Sequence, residues 1–208
     1  MPEKIYVGDL ESLVENKKVE GKQLKIGNEN FYKISNVDKM RPFFMSIVSN
    51  SNHWMFISST GSLSAGRKNS EFSLFPYYTD DKITESSDTT GSKTIIIVKI
   101  NNKNFLWEPF SSRYKGAYKV SRNIYKNTIG NKVIFEEVNH DLNVEFSYQW
   151  NSSNIYGFVR KSSIKNNSND DLDINIIDGI QNILPYGVVE GIQIDQSKLV
   201  DDYKKWEL

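Results

Sequence analysis

The chain contains two histidines and no cysteine, which limits the chemistry it can perform. Disulfides, thiolate nucleophiles and sulfur-ligated zinc are all excluded. A nucleophilic triad needs a serine, a base and a carboxylate that orients the base. His140-Asp141 stands in a predicted turn, and no Gly-x-Ser-x-Gly elbow occurs anywhere. Sugar mutarotation needs only a histidine acid and a carboxylate base, and His140 could meet Glu136, Glu137 or Glu145 for that purpose. Asn167, Asn169, Asp171 and Asp173 alternate like calcium ligands but lack the glycine at the sixth position and the closing glutamate. Gly61–Lys68 combines glycines with basic residues but lacks the Gly-Lys-Ser/Thr ending of a phosphate-cradling loop. These patterns assign no catalytic residue, no metal and no cofactor.

The segment Arg41–Glu85 carries a different signal. It holds Arg41-Pro42-Phe43-Phe44, Asn52-His53-Trp54, a glycine-flanked stretch to Arg67, and then Phe75-Pro76-Tyr77-Tyr78-Thr79-Asp80-Asp81. Aromatic rings beside carboxylates and a guanidinium suit sugar recognition: flat apolar faces meet ring CH groups, and planar polar groups meet paired hydroxyls. Read as a long loop, this segment offers Trp54, Arg67, Tyr77, Tyr78, Asp80 and Asp81 as contacts for a carbohydrate or an adjoining domain. The competing reading makes Trp54, Phe72, Phe75 and Tyr77 ordinary core residues.

The elements that would position these residues are strands. Short runs of β-branched and aromatic residues recur between Asn, Gly, Ser and Asp clusters. The expected strands are Gln23–Ile26, Phe31–Ile34, Phe43–Ser49, Trp54–Ser58, Lys93–Ile100, Phe105–Trp107, Tyr118–Tyr125, Lys132–Val138, Val144–Trp150, Tyr156–Ile164 and Leu172–Ile177. Asn101–Asn104, Gly130-Asn131, Asn139–Asp141 and Asn151–Asn154 supply turn chemistry between them, so Tyr118–Ile177 reads as an antiparallel meander. Val144–Trp150 alternates apolar with polar residues, as expected of a strand buried on one face. Ile95–Val98 and Val133–Phe135 are continuous apolar runs, which suggest strands covered on both faces. Two stacked sheets accommodate both patterns, so the expected fold is an all-β antiparallel sandwich.

The expected sandwich spans residues 1–196, and residues 197–208 form the start of a helical linker. Ser197 can cap a helix whose Leu199, Val200, Tyr203 and Trp206 share one face, an interface stripe that must dock on something. The 208 residues carry 26 basic and 26 acidic side chains, so no general attraction to nucleic acid or anionic membrane is expected. No secretory h-region and no run of about 20 apolar residues occurs, so a cytoplasmic location without membrane contact is expected.

Several ordered motifs resemble a known family. They are Gly61-Ser62-Leu63-Ser64-Ala65-Gly66-Arg67, Phe75-Pro76-Tyr77-Tyr78, Leu106-Trp107-Glu108-Pro109-Phe110, Asn139-His140-Asp141-Leu142 and Asp178-Gly179-Ile180-Gln181-Asn182-Ile183-Leu184-Pro185-Tyr186-Gly187. Their order resembles the N-terminal region of large bacterial proteins related to the cellobiose and chitobiose phosphorylases, over most of the chain after Arg41. The resemblance implies a β super-sandwich of galactose-mutarotase type, joined by a helical linker to an (α/α)₆ barrel that carries the catalytic acid. Nothing here corresponds to that barrel. The expected function is therefore that of a noncatalytic, carbohydrate-associated domain that packs on a helical-barrel catalytic domain. Its expected partners are a carbohydrate or that missing domain, with a homodimer as the remaining option. The competing classes are a free-standing mutarotase or epimerase acting through His140, and a pure protein-interaction module.

Overall fold

A computed structural model describes residues 5–7, 10–12, 17–76, 80–196, 199, 200 and 202. In chain order the elements are β1 (Ile5–Val7), β2 (Leu10–Ser12), β3 (Glu20–Ile26), β4 (Glu29–Ser35), β5 (Phe44–Ile47), β6 (His53–Ser58), β7 (Leu63–Arg67) and α1 (Asp80–Glu85). They continue with β8 (Gly91–Ile100), β9 (Lys103–Trp107), β10 (Val120–Asn127), β11 (Lys132–Asn139), β12 (Val144–Ser153), β13 (Gly157–Asn166), β14 (Asp173–Gln181) and α2 (Glu190–Asp195). Among the described residues all strand pairing is antiparallel, and the fold is all-β with a short C-terminal helix.

A six-stranded sheet in the order β13-β12-β11-β10-β4-β3 forms one layer. Two three-stranded sheets, β14-β8-β9 and β5-β6-β7, form the other, and β1-β2 is a separate ribbon. The alternation along β12 buries Val144, Phe146, Tyr148 and Trp150. Together with Val133 and Phe135 of β11 they pack against Met55, Ile57, Leu63 and Ala65 of one small sheet, and against Ile96, Val98 and Trp107 of the other. One apolar core thus joins all three sheets.

A polar clasp closes the sandwich where β13 meets β14. Asp178 receives both Nη groups of Arg160 at 2.8 Å, the Ser162 hydroxyl at 2.5 Å and the Thr94 hydroxyl at 2.6 Å. Burial alone would raise the Asp178 carboxyl, but these hydrogen bonds hold it below its ordinary range.

Every strand expected from the sequence is present, with shifted ends, and four features differ. The meander holds only from β10 to β13; β14 crosses to the other layer and pairs with β8 along Asp173–Gln181. The calcium-like run Asn167–Asp173 spans that crossing, where the Asn166 side chain bonds the residue 168 and 170 backbone. The glycine-flanked stretch expected to be loop contains β7, and Trp54 of β6 lies over Gly66, which leaves no room for a Cβ there. Ile96 and Val98 of β8 are buried, but Ile97 faces outward with Leu106 opposite it, so the run is not covered on both faces. An additional short helix, α2, precedes the expected one and ends at Asp195; Leu199, Val200 and Asp202 have helical backbone as expected, and Ser197, Tyr203 and Trp206 lie outside the described residues. Of the expected stripe, Val200 is buried with its N–H on Gln196 O at 3.1 Å, and Leu199 is exposed. Among the described residues, no helix is long and apolar enough to cross a membrane.

Candidate functional site

The β5-β6-β7 sheet buries Ile47, Met55 and Ile57 on its inner side, with Met45 partly buried beside them. Alternation then places Phe44, Trp54 and Phe56 on its outer side. The register sets Phe56 opposite Ser46 and Ser64, and Trp54 opposite Gly66, so small residues leave the rings standing above the sheet. Phe44 and Phe56 meet edge to face at 6.2 Å between centroids, and Phe56 and Trp54 lie tilted at 6.0 Å. The three rings form one row, with Phe44 and Phe56 exposed to 48% and 36%.

Both ends of the row are held by polar contacts. At one end Ser58, Thr60 and Ser62 share hydroxyl hydrogen bonds, and Thr60 and Ser62 donate to the carbonyls of Thr84 and Ile83. These bonds fix α1 beside the β6–β7 turn. At the other end the Trp54 indole donates to Asn69 O at 3.3 Å, and the Asn69–Leu74 segment runs along β7 through the Leu74 N–H on Ala65 O. The Ser70 hydroxyl donates to Glu190 at 2.7 Å, which ties α2 to the same segment.

The structure partly gathers the residues nominated from the sequence. Trp54 stands in the row, and Asp80 and Asp81 open α1, the helix that packs on β5 and β6. Arg67 pairs with His53, one residue along from the Trp54–Gly66 pair, so it points to the opposite face from Trp54. Tyr77 and Tyr78 lie outside the described residues. Phe44 and Phe56, the other two rings of the row, are not among the residues that the sequence nominates. Their signal was the spacing Phe44-x-Ser46 and Trp54-x-Phe56, concealed because the intervening residues are also apolar.

A cleft of about 360 Å³ opens between the Val37–Pro42 segment, the Trp107–Tyr118 connection and strands β10 and β11. Its floor is Glu137, 1% exposed. The Glu137 carboxylate accepts the Trp107 indole N–H at 2.8 Å, the Phe110 backbone N–H at 2.7 Å and Arg122 Nε at 2.6 Å. Arg122 Nη2 also donates to Ser111 O at 2.9 Å, so one ion pair pins the whole connection. Phe110 sits at φ 65°, an outlying conformation for a bulky residue. Its N–H bond to Glu137 and its edge-on packing against Tyr148, centroids 5.1 Å apart, hold it there. Nearby, burial would raise the Asp88 carboxyl, but hydrogen bonds from Ser112 and Ser111 lower it.

His140 and its candidate carboxylates are divided between faces. Glu137 belongs to the inner face of β11, and Glu136 to the outer. Glu136 is occupied by Asn123 Nδ2 at 2.6 Å and by the Tyr125 hydroxyl at 2.9 Å. Burial and the Glu136 charge push the Tyr125 hydroxyl well above its ordinary range. His140 Nε2 bonds the Ser121 hydroxyl at 2.8 Å, and its backbone N–H donates to Lys119 O. Among the described residues, no ion pair joins His140 to a carboxylate, and no group of three His, Asp or Glu residues is placed to hold a metal. No protein-family model matches the chain, and no curated protein sequence matches it.

Proposed function

We propose that the chain is a noncatalytic, carbohydrate-associated β-sandwich that presents the Phe44–Phe56–Trp54 row to a glycan. One observation carries this: three neighbouring aromatic rings stand on the outer face of a sheet with serines between them. Ring faces and edges of this kind take up the apolar CH faces of sugars, and the exposed Ser46 stands beside Phe56 on the same face. The resemblance to the N-terminal region of phosphorylase-related proteins supports the same function class, and a galactose-mutarotase-type super-sandwich is the proposed finer fold.

A second surface supports packing against a further domain. Ile97, Leu106 and Ile177 extend from the outer side of β14-β8-β9, with Ile177 73% exposed. An aliphatic face of this kind suits protein burial better than sugar contact. The domain proposed to cover it is the helical catalytic barrel that the resemblance implies, and a cytoplasmic location accords with both partners.

The test is a glycan array probed with the chain and with the Phe44→Ser/Phe56→Ser variant. Retention of a neutral glycan by the parent, lost in the variant, supports the row as the binding surface; retention equal in both removes it. Polarimetry on freshly dissolved aldoses addresses the competing enzyme. No acceleration is expected, and acceleration abolished by His140→Ala would replace the noncatalytic assignment with a mutarotase.

A further inference from the structure

We infer that the cleft above Glu137 binds a small sugar bearing an acid group, with its carboxylate or phosphate held by Lys115, Lys119 and the outer edge of Arg122. The sugar component rests on the carbohydrate reading above; the acid component rests on the cleft alone.

The lining carries four cations, Lys39, Lys115, Lys119 and Arg122, against the carboxylates Asp38, Glu108 and Glu137. Each carboxylate already has a cation. Asp38 pairs with Lys39 at 3.1 Å, Glu108 with Lys93 at 2.5 Å, and Glu137 with Arg122 at 2.6 Å. Lys115 and Lys119 have no ion-pair partner among the described residues, so the lining carries one cation more than carboxylates; at the rim Asp141 accepts the Lys119 backbone N–H at 2.7 Å and Asp88 the Ser112 N–H at 3.2 Å. Arg122 commits Nε to Glu137 and Nη2 to Ser111 O, which leaves Nη1 without a hydrogen bond among the described residues. A guanidinium held on one edge by a buried carboxylate is oriented in advance for an acid on its other edge.

The cavity volume suits a compact ligand. About 360 Å³ falls at the small end of ligand pockets, near the size of a monosaccharide with one charged substituent. Tyr114, half exposed, adds an aromatic surface at the rim. The strained Phe110 and the three hydrogen bonds on Glu137 hold the connection open before any ligand arrives, which lowers the ordering cost of binding.

Calorimetric titration of the full chain with glucuronate, glucose 6-phosphate, glucose and inorganic phosphate tests this directly. At least one of the two acidic sugars should bind ten-fold or more tightly than glucose and than phosphate, and its affinity should fall as salt is raised. Lys115→Gln/Lys119→Gln, at two exposed positions, should weaken that binding at least ten-fold. The tighter of the two sugars identifies the acid. The Phe44→Ser/Phe56→Ser variant should bind the acidic sugar unchanged, so loss of the aromatic row and loss of the cleft read out separately. The proposal is overturned if neither acidic sugar binds, if glucose or phosphate binds equally well, or if the double lysine variant binds as tightly as the parent.

Discussion

The indole N–H of Trp107 ends on the carboxylate of Glu137 at 2.8 Å, a hydrogen bond that crosses from the small β14-β8-β9 sheet to the six-stranded sheet. Both residues are buried at the floor of the cleft, and the same carboxylate also receives Phe110 and Arg122. Glu137 therefore organises structure; all three neighbours present N–H groups, and it accepts from each.

Glu137→Gln places an amide among those three donors and leaves Arg122 without its counter-charge. The cost of breaking a buried pair is about 3–5 kcal/mol. The lower end is expected because the Arg122 side chain remains 25% exposed. At roughly 2–4 °C per kcal/mol for a chain of this size, calorimetry should show a clear drop in Tm. A Tm unchanged by the substitution would mean that the ion pair does not anchor the Trp107–Tyr118 connection.

Asp178 is held below its ordinary range in the folded state, so the sign of its pH dependence is fixed. The unfolded carboxyl titrates at about 3.9. The contribution of Asp178 is fully present above that pH and is lost as pH falls through the lower folded value. Asp178→Asn should lower Tm at neutral pH and flatten the decline below about pH 4. Melting curves across that window check this, and parallel acid limbs in parent and variant would remove the Arg160–Asp178 clasp as a source of acid sensitivity.

Gly66→Ala should destabilise the β6–β7 pair. The added Cβ would lie 2.7 Å from Trp54 Cζ2 and 2.5 Å from the carbonyl oxygen of Phe72. Overpacking of this kind costs about 1–3 kcal/mol. Because Trp54 must shift to relieve it, glycan binding should weaken along with stability. Chemical denaturation and the glycan array together test both effects.

The strands were legible because turn chemistry and period-two burial are local properties. Val144–Trp150 declares its face by alternation, and the Asn139 turn is built by its own side chain, whose Oδ1 accepts from the Asp141 and Leu142 N–H groups. β7 was illegible because Gly66 reads as a breaker until Trp54 is known to lie across it. The aromatic row was illegible because Trp54-Met55-Phe56-Ile57 is apolar throughout, so the sequence does not separate the core-facing pair from the outward pair. The departure of β14 from the meander follows from long-range pairing with β8, and the Glu137–Arg122 pair follows from cross-strand register. Neither leaves a local pattern.

Fluorine NMR on fluorotryptophan-labelled chain tests the central assignment most directly, because Trp54 stands in the aromatic row while Trp107 lines the cleft and Trp150 lies in the core. Trp54→Phe identifies the first resonance. On titration with a neutral oligosaccharide retained on the array, the Trp54 signal should move while those of Trp107 and Trp150 stay fixed. Movement of Trp107 alone, or no movement of Trp54 at saturating oligosaccharide, would contradict a glycan surface on the β5-β6-β7 sheet.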